Sequence, residues 1–183
     1  SSDFGRGEND KNEYSGYYTK AELREIVEYC KERHIEVIPE FDIPGHSTAV
    51  IAAYPQLSCS GENVKIKTHQ GVFRDVLCLA KEDAFKVVTN IIDEFLEIFP
   101  GEYFHIGGDE APADHWKKCP DCQKYMKELG ITSYTEYQTH FMNSVIDYLE
   151  SKGKHCIVWN EAAKGKNLDK RAVIQYWKES PTD

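Results

Sequence analysis

An α/β chain built on a parallel sheet, folded as part of a barrel, is what three features of this 183-residue sequence predict. Segments of helical period alternate with short β-branched or aromatic runs. The strand runs are too apolar for a sheet with one wet face, so helices should cover them. Each run also places its polar and aromatic residues at its C-terminal end: Asp42 and His46, Asp109 and Glu110, Trp159 and Glu161, and Trp177. A (β/α)₈ barrel gathers its site on that face, from several strands. A doubly wound sheet shares the alternation, but no Gly-x-Gly-x-x-Gly follows any strand run to cradle a nucleotide.

Residues 1 to 16, rich in Ser, Gly, Asp and Asn, read as an exposed loop or frayed end. Thr19-Lys20-Ala21-Glu22 has the form of a capping box, and Leu23, Ile26, Val27 and Cys30 follow at helical spacing. A helix from Thr19 to about Arg33 results. Ile35 to Glu40 is a β-branched strand run, ending in the turn Phe41-Asp42-Ile43-Pro44-Gly45-His46. A small helix over Ser47 to Ala53 leads into a long irregular stretch reaching residue 80, and loops of that length are more often functional than idle.

Asp83 to Phe99 is amphipathic, with Phe85, Val88, Ile92, Phe95, Leu96 and Phe99 on one stripe, and Pro100-Gly101 stops it. Gly101-Glu102-Tyr103-Phe104 then opens a buried strand that leads into His105-Ile106-Gly107-Gly108-Asp109-Glu110. Trp116 falls in the next loop, where it could rim a site. A short helix ends at Gly130, and a second capping box, Ser133-Tyr134-Thr135-Glu136, starts a helix with Tyr137, Phe141, Val145, Tyr148 and Leu149 on its stripe. Cys156-Ile157-Val158-Trp159 and Ala172 to Trp177 are the last strand runs.

With 40% hydrophobic residues the chain can bury a substantial core as one domain. Its net charge of −9, from 31 acids against 22 bases, argues against nucleic acid or an anionic membrane as partner. No apolar run is long enough to cross a bilayer, and no signal peptide stands at the start. Of six cysteines, only Cys119 and Cys122 are close in sequence. One Cys-x-x-Cys without a second Cys or His pair at finger spacing favours a loop disulfide or two reduced thiols over a metal site. Cys30, Cys78 and Cys156, in apolar runs, read as core thiols.

Two adjacent carboxylates can serve one pocket only if the backbone leaves strand geometry, which Gly107-Gly108 would permit. In a partly closed cleft they repel, and burial raises the pKa of one, so that an anion sits beside a proton donor at neutral pH. Asp109 or Glu110 could equally cap the following helix. Alone, His46 suits a turn, His105 a buried structural role, and Trp159 or Trp177 the core. Asp42 and Glu161 read as solvated or supporting carboxylates.

Taken together, Pro39-Glu40-Phe41-Asp42-Ile43-Pro44-Gly45-His46, His105-Ile106-Gly107-Gly108-Asp109-Glu110, Ile157-Val158-Trp159 and Gln175-Tyr176-Trp177 resemble the catalytic barrel of family 20 glycoside hydrolases, the β-N-acetylhexosaminidases. The resemblance runs from about Tyr17 to Lys178. It implies retaining hydrolysis of terminal N-acetylglucosamine or N-acetylgalactosamine β-glycosides, in which the substrate's own 2-acetamido oxygen is the nucleophile. Glu110 would be the general acid and then base, Asp109 would orient the acetamido group, and His46 would tune Glu110. Trp159 and Trp177 would wall the sugar pocket. No cofactor or metal is implied; the partner is an N-acetylhexosamine-containing glycan.

The resemblance also implies a partial barrel, roughly the third to sixth β/α units, because four strand runs are present where a closed barrel has eight in about 250 residues. The isolated chain is therefore expected to be inactive and to self-associate through open sheet edges. Two other classes fit some of the same residues. One is a metal-dependent barrel hydrolase with His46, His105, Asp109 and Glu110 as ligands; the other is a non-catalytic carbohydrate-binding or scaffold unit.

Overall fold

The computed structural model of the chain describes residues 16–67, 69 and 71–177. Apart from Gly16, the expected N-terminal loop lies outside them. Three parallel strands form the sheet in the order β1 (Tyr103–His105), β2 (His155–Trp159) and β3 (Val173–Gln175). Spatial order follows chain order without reversal, as in an arc of a barrel; a doubly wound sheet reverses at a switch point.

The expected first strand, Ile35 to Glu40, is not regular. It runs beside β1 and touches it at one end: Glu40 bridges His105 in parallel, the His105 N–H donates to the Pro39 carbonyl, and the Phe41 N–H donates to the His105 carbonyl, both at 2.9 Å. Pro39 has no N–H to give. Among the described residues nothing pairs with the segment's far edge, and Ile35 and Ile38 are exposed. At the other end of the sheet β3 is exposed along its length and is regular over only part of the expected Ala172 to Trp177.

Six α-helices are described: α1 (Lys20–Lys31), α2 (Thr48–Ala53), α3 (Glu82–Leu96), α4 (Asp114–Lys118), α5 (Pro120–Glu128) and α6 (Tyr134–Ser151). α1 opens on the expected capping box, with the Glu22 N–H donating to the Thr19 hydroxyl at 3.2 Å and the Thr19 N–H donating to the Glu22 carboxylate at 2.7 Å. The second capping box does not form. The Ser133 hydroxyl instead pairs with that of Thr135 at 2.6 Å, two short side chains satisfying each other. No helix among the described residues is long and apolar enough to cross a membrane.

The core lies between sheet and helices. Phe104, Cys156 and Val158 from the strands, and Ile106 just after β1, share one cluster with Val88 and Ile92 of α3 and Met142, Val145, Ile146 and Leu149 of α6. Phe95 meets Phe104 edge-on at 5.9 Å, and the Tyr148 hydroxyl donates to the Asp93 carboxylate at 2.7 Å, fixing α6 to α3. Trp116 belongs to this core and not to a site rim. It sits in α4, is 1% exposed, and donates its indole N–H to the Leu77 carbonyl at 2.8 Å.

All six cysteines are free, which is one of the two states expected of Cys119 and Cys122. What departs from expectation is that four converge: the sulfurs of Cys59, Cys78, Cys119 and Cys122 all lie within 4.8 Å of one another. The reason is the fold of the long stretch after α2, where Ser58 bridges Leu77 in antiparallel fashion and sets Cys59 beside Cys78. Cys156 is buried as expected, whereas Cys30 is only partly so.

Candidate active site

β1 ends at His105, and the chain then leaves strand geometry. Gly107 (φ 68°), Gly108 (φ 98°) and Glu110 (φ 45°) all adopt left-handed backbone. The departure lets neighbours 109 and 110 turn toward one pocket. Close approach is a second demand on the glycines: a Cβ on Gly107 would lie 2.7 Å from the Asp42 Cα, and one on Gly108 would lie 2.7 Å from the Ala162 Cβ. Glu110 holds the same hand of backbone without being glycine, at a cost of roughly 1–2 kcal/mol.

The turn Phe41 to His46 faces this loop. It contains a cis Ile43–Pro44 bond and a left-handed His46 (φ 47°). The Gly108 N–H donates to Asp42 Oδ1 at 3.1 Å. His46 Nε2 stands 3.6 Å from Glu110 Oε2, 3.8 Å from Asp109 Oδ2 and 3.9 Å from Asp42 Oδ2. Three carboxylates thus surround one imidazole at ion-pair distance, slightly beyond hydrogen-bond length. Asp109, Glu110 and His46, all expected at the site, are brought together here.

Asp42 joins them, although the sequence placed it outside the catalytic group. Its signal was its position, four residues before His46 on a turn that closes over the Gly-Gly element. Burial first, and the Asp109 charge second, push the Asp42 carboxyl up to about 8, against the opposing Gly108 N–H. Asp42 therefore carries a proton at neutral pH beside the Asp109–Glu110 pair.

A folded-state value above the unfolded one means that the stabilising contribution is complete below about pH 4 and is lost as pH rises through about 8. In urea denaturation at pH 5.5, 7 and 8.5, the unfolding midpoint should fall with pH. Asp42→Asn, neutral and nearly isosteric, should flatten that decline. Equal slopes in the two proteins would show that Asp42 does not carry it.

Asp109 is 7% exposed, and its Oδ1 has no hydrogen-bond partner among the described residues. Buried carboxylate oxygens are nearly always satisfied. The protonated Asp42 carboxyl stands beside Asp109 as a donor from this chain, and a substrate N–H would be another.

Trp159 and Trp177 form a second group at the same end of the sheet. Their rings are 6.1 Å apart; Trp159 also lies 4.6 Å from the His105 ring and donates its indole N–H to the Glu40 carboxylate at 2.9 Å. Trp177 is 48% exposed. Gly107 links the two groups, its N–H donating to His105 Nδ1 at 3.0 Å and its carbonyl accepting the Trp159 N–H at 2.9 Å. His105 is buried, as expected, and burial lowers its pKa despite the nearby charges of Glu40 and Asp109, so it is neutral at pH 7. The ligand set of the metal-hydrolase alternative is not assembled, because His105 belongs with Trp159; the donor atoms that converge are those of Asp42, His46 and Asp109.

The catalytic-domain profile of glycosyl hydrolase family 20 matches residues 2–183. The chain belongs to that family. A β-hexosaminidase of Porphyromonas gingivalis is 43% identical over 173 residues, which are 94% of this chain and 22% of that protein. A β-N-acetylhexosaminidase structure from Bacteroides fragilis superposes with TM-score 0.80 at 35% identity, covering 88% of this chain and 32% of that one. The Vibrio harveyi exo-β-N-acetylglucosaminidase in complex with N-acetylglucosamine gives 0.79 at 35% identity, covering 91% and 26%. The chain is thus part of a TIM-barrel catalytic domain. It spans 22% to 31% of the length of the curated relatives it matches.

Proposed function

We propose that the chain supplies the acid–base and acetamido-orienting part of a β-N-acetylhexosaminidase site, for retaining, substrate-assisted cleavage of terminal N-acetylglucosamine or N-acetylgalactosamine β-glycosides. The observation that carries the reading is the buried Asp109 carboxylate turned with Glu110 toward His46. An acetamido N–H is a donor that the Asp109 carboxylate can accept. Bonded to it, the acetamido group turns its carbonyl oxygen toward the anomeric carbon and forms the new C–O bond as the glycosidic bond breaks. The positive charge that spreads over the resulting oxazolinium ring is stabilised by the Asp109 carboxylate in a site shielded from water.

Glu110 gives its proton to the departing glycosidic oxygen and later removes one from the water that opens the ring. His46, between the two acids, positions the Glu110 carboxyl and offsets its charge. Trp159 and Trp177 present apolar ring faces to the sugar. The bound N-acetylglucosamine of the Vibrio relative supports this substrate class.

Strands from the remainder of a barrel would pair with the free edges along Ile35 to Glu40 and β3 and complete the pocket. The full-length protein should cleave a chromogenic N-acetyl-β-glucosaminide and leave the matching β-glucoside, which has no acetamido group, untouched. The 183-residue chain alone should show little turnover and scatter light as a species larger than 21.0 kDa. Equal turnover of both substrates by the full-length protein would overturn the assignment, and a clean monomer would refute self-association through the edges.

A further inference from the structure

The four converging cysteines lie outside the carboxylate site and come from two separate parts of the chain. Cys59 follows the 3₁₀ turn Pro55–Leu57, and Cys78 is held beside it by its own N–H, which donates to the Leu57 carbonyl at 2.8 Å. Cys119 is the N-cap residue of α5, and Cys122 lies in that helix's first turn. The first pair enters from the long stretch after α2, and the second as a Cys-x-x-Cys that closes α4 and opens α5.

Their separations are those of ligands around one point. The Cys78 and Cys122 sulfurs are 3.5 Å apart, Cys59 and Cys122 3.8 Å, and Cys78 and Cys119 3.9 Å. Zinc–sulfur bonds of about 2.3 Å in a tetrahedron place the sulfurs about 3.8 Å apart. A disulfide would bring two sulfurs to about 2.0 Å and leave the other pairs unequal. Cys78, Cys119 and Cys122 are buried, and Cys59 is partly so. The buried Tyr137 hydroxyl stands beside Cys122 and has no other partner among the described residues. A metal-bound thiolate would accept it, as outer-shell donors do around such sites.

We propose that Cys59, Cys78, Cys119 and Cys122 bind one zinc ion in a closed tetrahedral site. All four positions are protein sulfurs, so no place remains for water or substrate and the ion is structural. It fastens the stretch from residue 54 to 80 to the α4–α5 junction, close to the reacting groups in two ways. The residue before Cys78, Leu77, donates its N–H to the Pro44 carbonyl at 3.1 Å, two residues from His46. The Leu77 carbonyl accepts the Trp116 indole N–H, and Trp116 stands in α4, whose first residue is Asp114, just past Glu110. The site therefore braces the His46 turn against the segment that leaves the acid pair. These cysteines are positioning residues for the carboxylate site.

The test is made on full-length protein purified without chelator. Elemental analysis should find about one zinc per chain, retained through dialysis. Cobalt exchange should give the intense visible bands of a tetrahedral tetrathiolate. Cys78→Ser and Cys122→Ser should each lower zinc content at least about fivefold, and Cys30→Ser, outside the cluster, should leave it unchanged. Should the cluster variants fail to fold, the wild-type protein decides alone: a strong chelator under native conditions should release the zinc, expose four further reactive thiols and lower the melting temperature. A folded protein free of zinc that takes up no cobalt would overturn the proposal. So would a disulfide between any two of the four cysteines under non-reducing mass spectrometry, or iron in place of zinc.

Discussion

Asp109→Asn in the full-length protein lowers kcat for N-acetylglucosaminides by about 10²–10³-fold, the loss typical when one preorganised electrostatic partner of a developing charge is removed. The backbone of the Gly-Gly turn holds the side chain in place in either case, so fold and melting temperature should change little. What disappears is the negative charge beneath the acetamido group, which matters most when that group becomes cationic. A thiazoline mimic of the cyclised intermediate should therefore lose more affinity than the N-acetylglucosamine product. Steady-state kinetics and inhibitor titration check both outcomes, and equal loss for product and mimic would mean that Asp109 only shapes the pocket.

Glu110→Gln lowers kcat by about 10²–10⁴-fold, the range expected for losing a general acid. The size of the loss should depend on the leaving group. A glycoside whose aglycone leaves as a stabilised phenolate needs little protonation and should retain much more activity than one with an alkyl aglycone. Asp109→Asn should show no such dependence, because the acetamido charge forms whatever departs. A Glu110→Gln loss independent of leaving-group acidity would assign the acid role to another residue, and Asp42, which holds a proton at neutral pH in this structure, would then be examined first.

Much of the fold was readable from local pattern. The capping box at Thr19, the apolar stripes of α3 and α6, and the glycine pair after β1 each express a requirement of nearby backbone and each formed, although α3 ends at Leu96 and leaves Phe99, expected on its stripe, in a separate cluster with Val27 and Ile98. Ile35 to Glu40 reads as a strand because its residues are β-branched, yet it meets β1 only at Glu40, next to Pro39, which has no N–H to extend the ladder. Trp116 sits in a polar loop by sequence, but its indole N–H found a carbonyl from residue 77 and the ring went into the core. The Ser133 box failed because a nearer hydroxyl competed for its cap.

By itself the sequence determined the alternation of helix and strand, the membership of Asp109, Glu110 and His46 in one site, and the backbone freedom that Gly107 and Gly108 supply. The adjacency of Asp109 and Glu110 and the glycine pair are matters of short spacing, where chain geometry leaves few options; His46, more than sixty positions away, was placed with them only by the family resemblance. Only the tertiary structure decided that Asp42 keeps a proton at neutral pH, that Asp109 is buried against it, and that Cys59 and Cys78 meet Cys119 and Cys122. Burial and the approach of charges or sulfurs from residues tens of positions apart are properties of packed neighbours, and no local pattern encodes them.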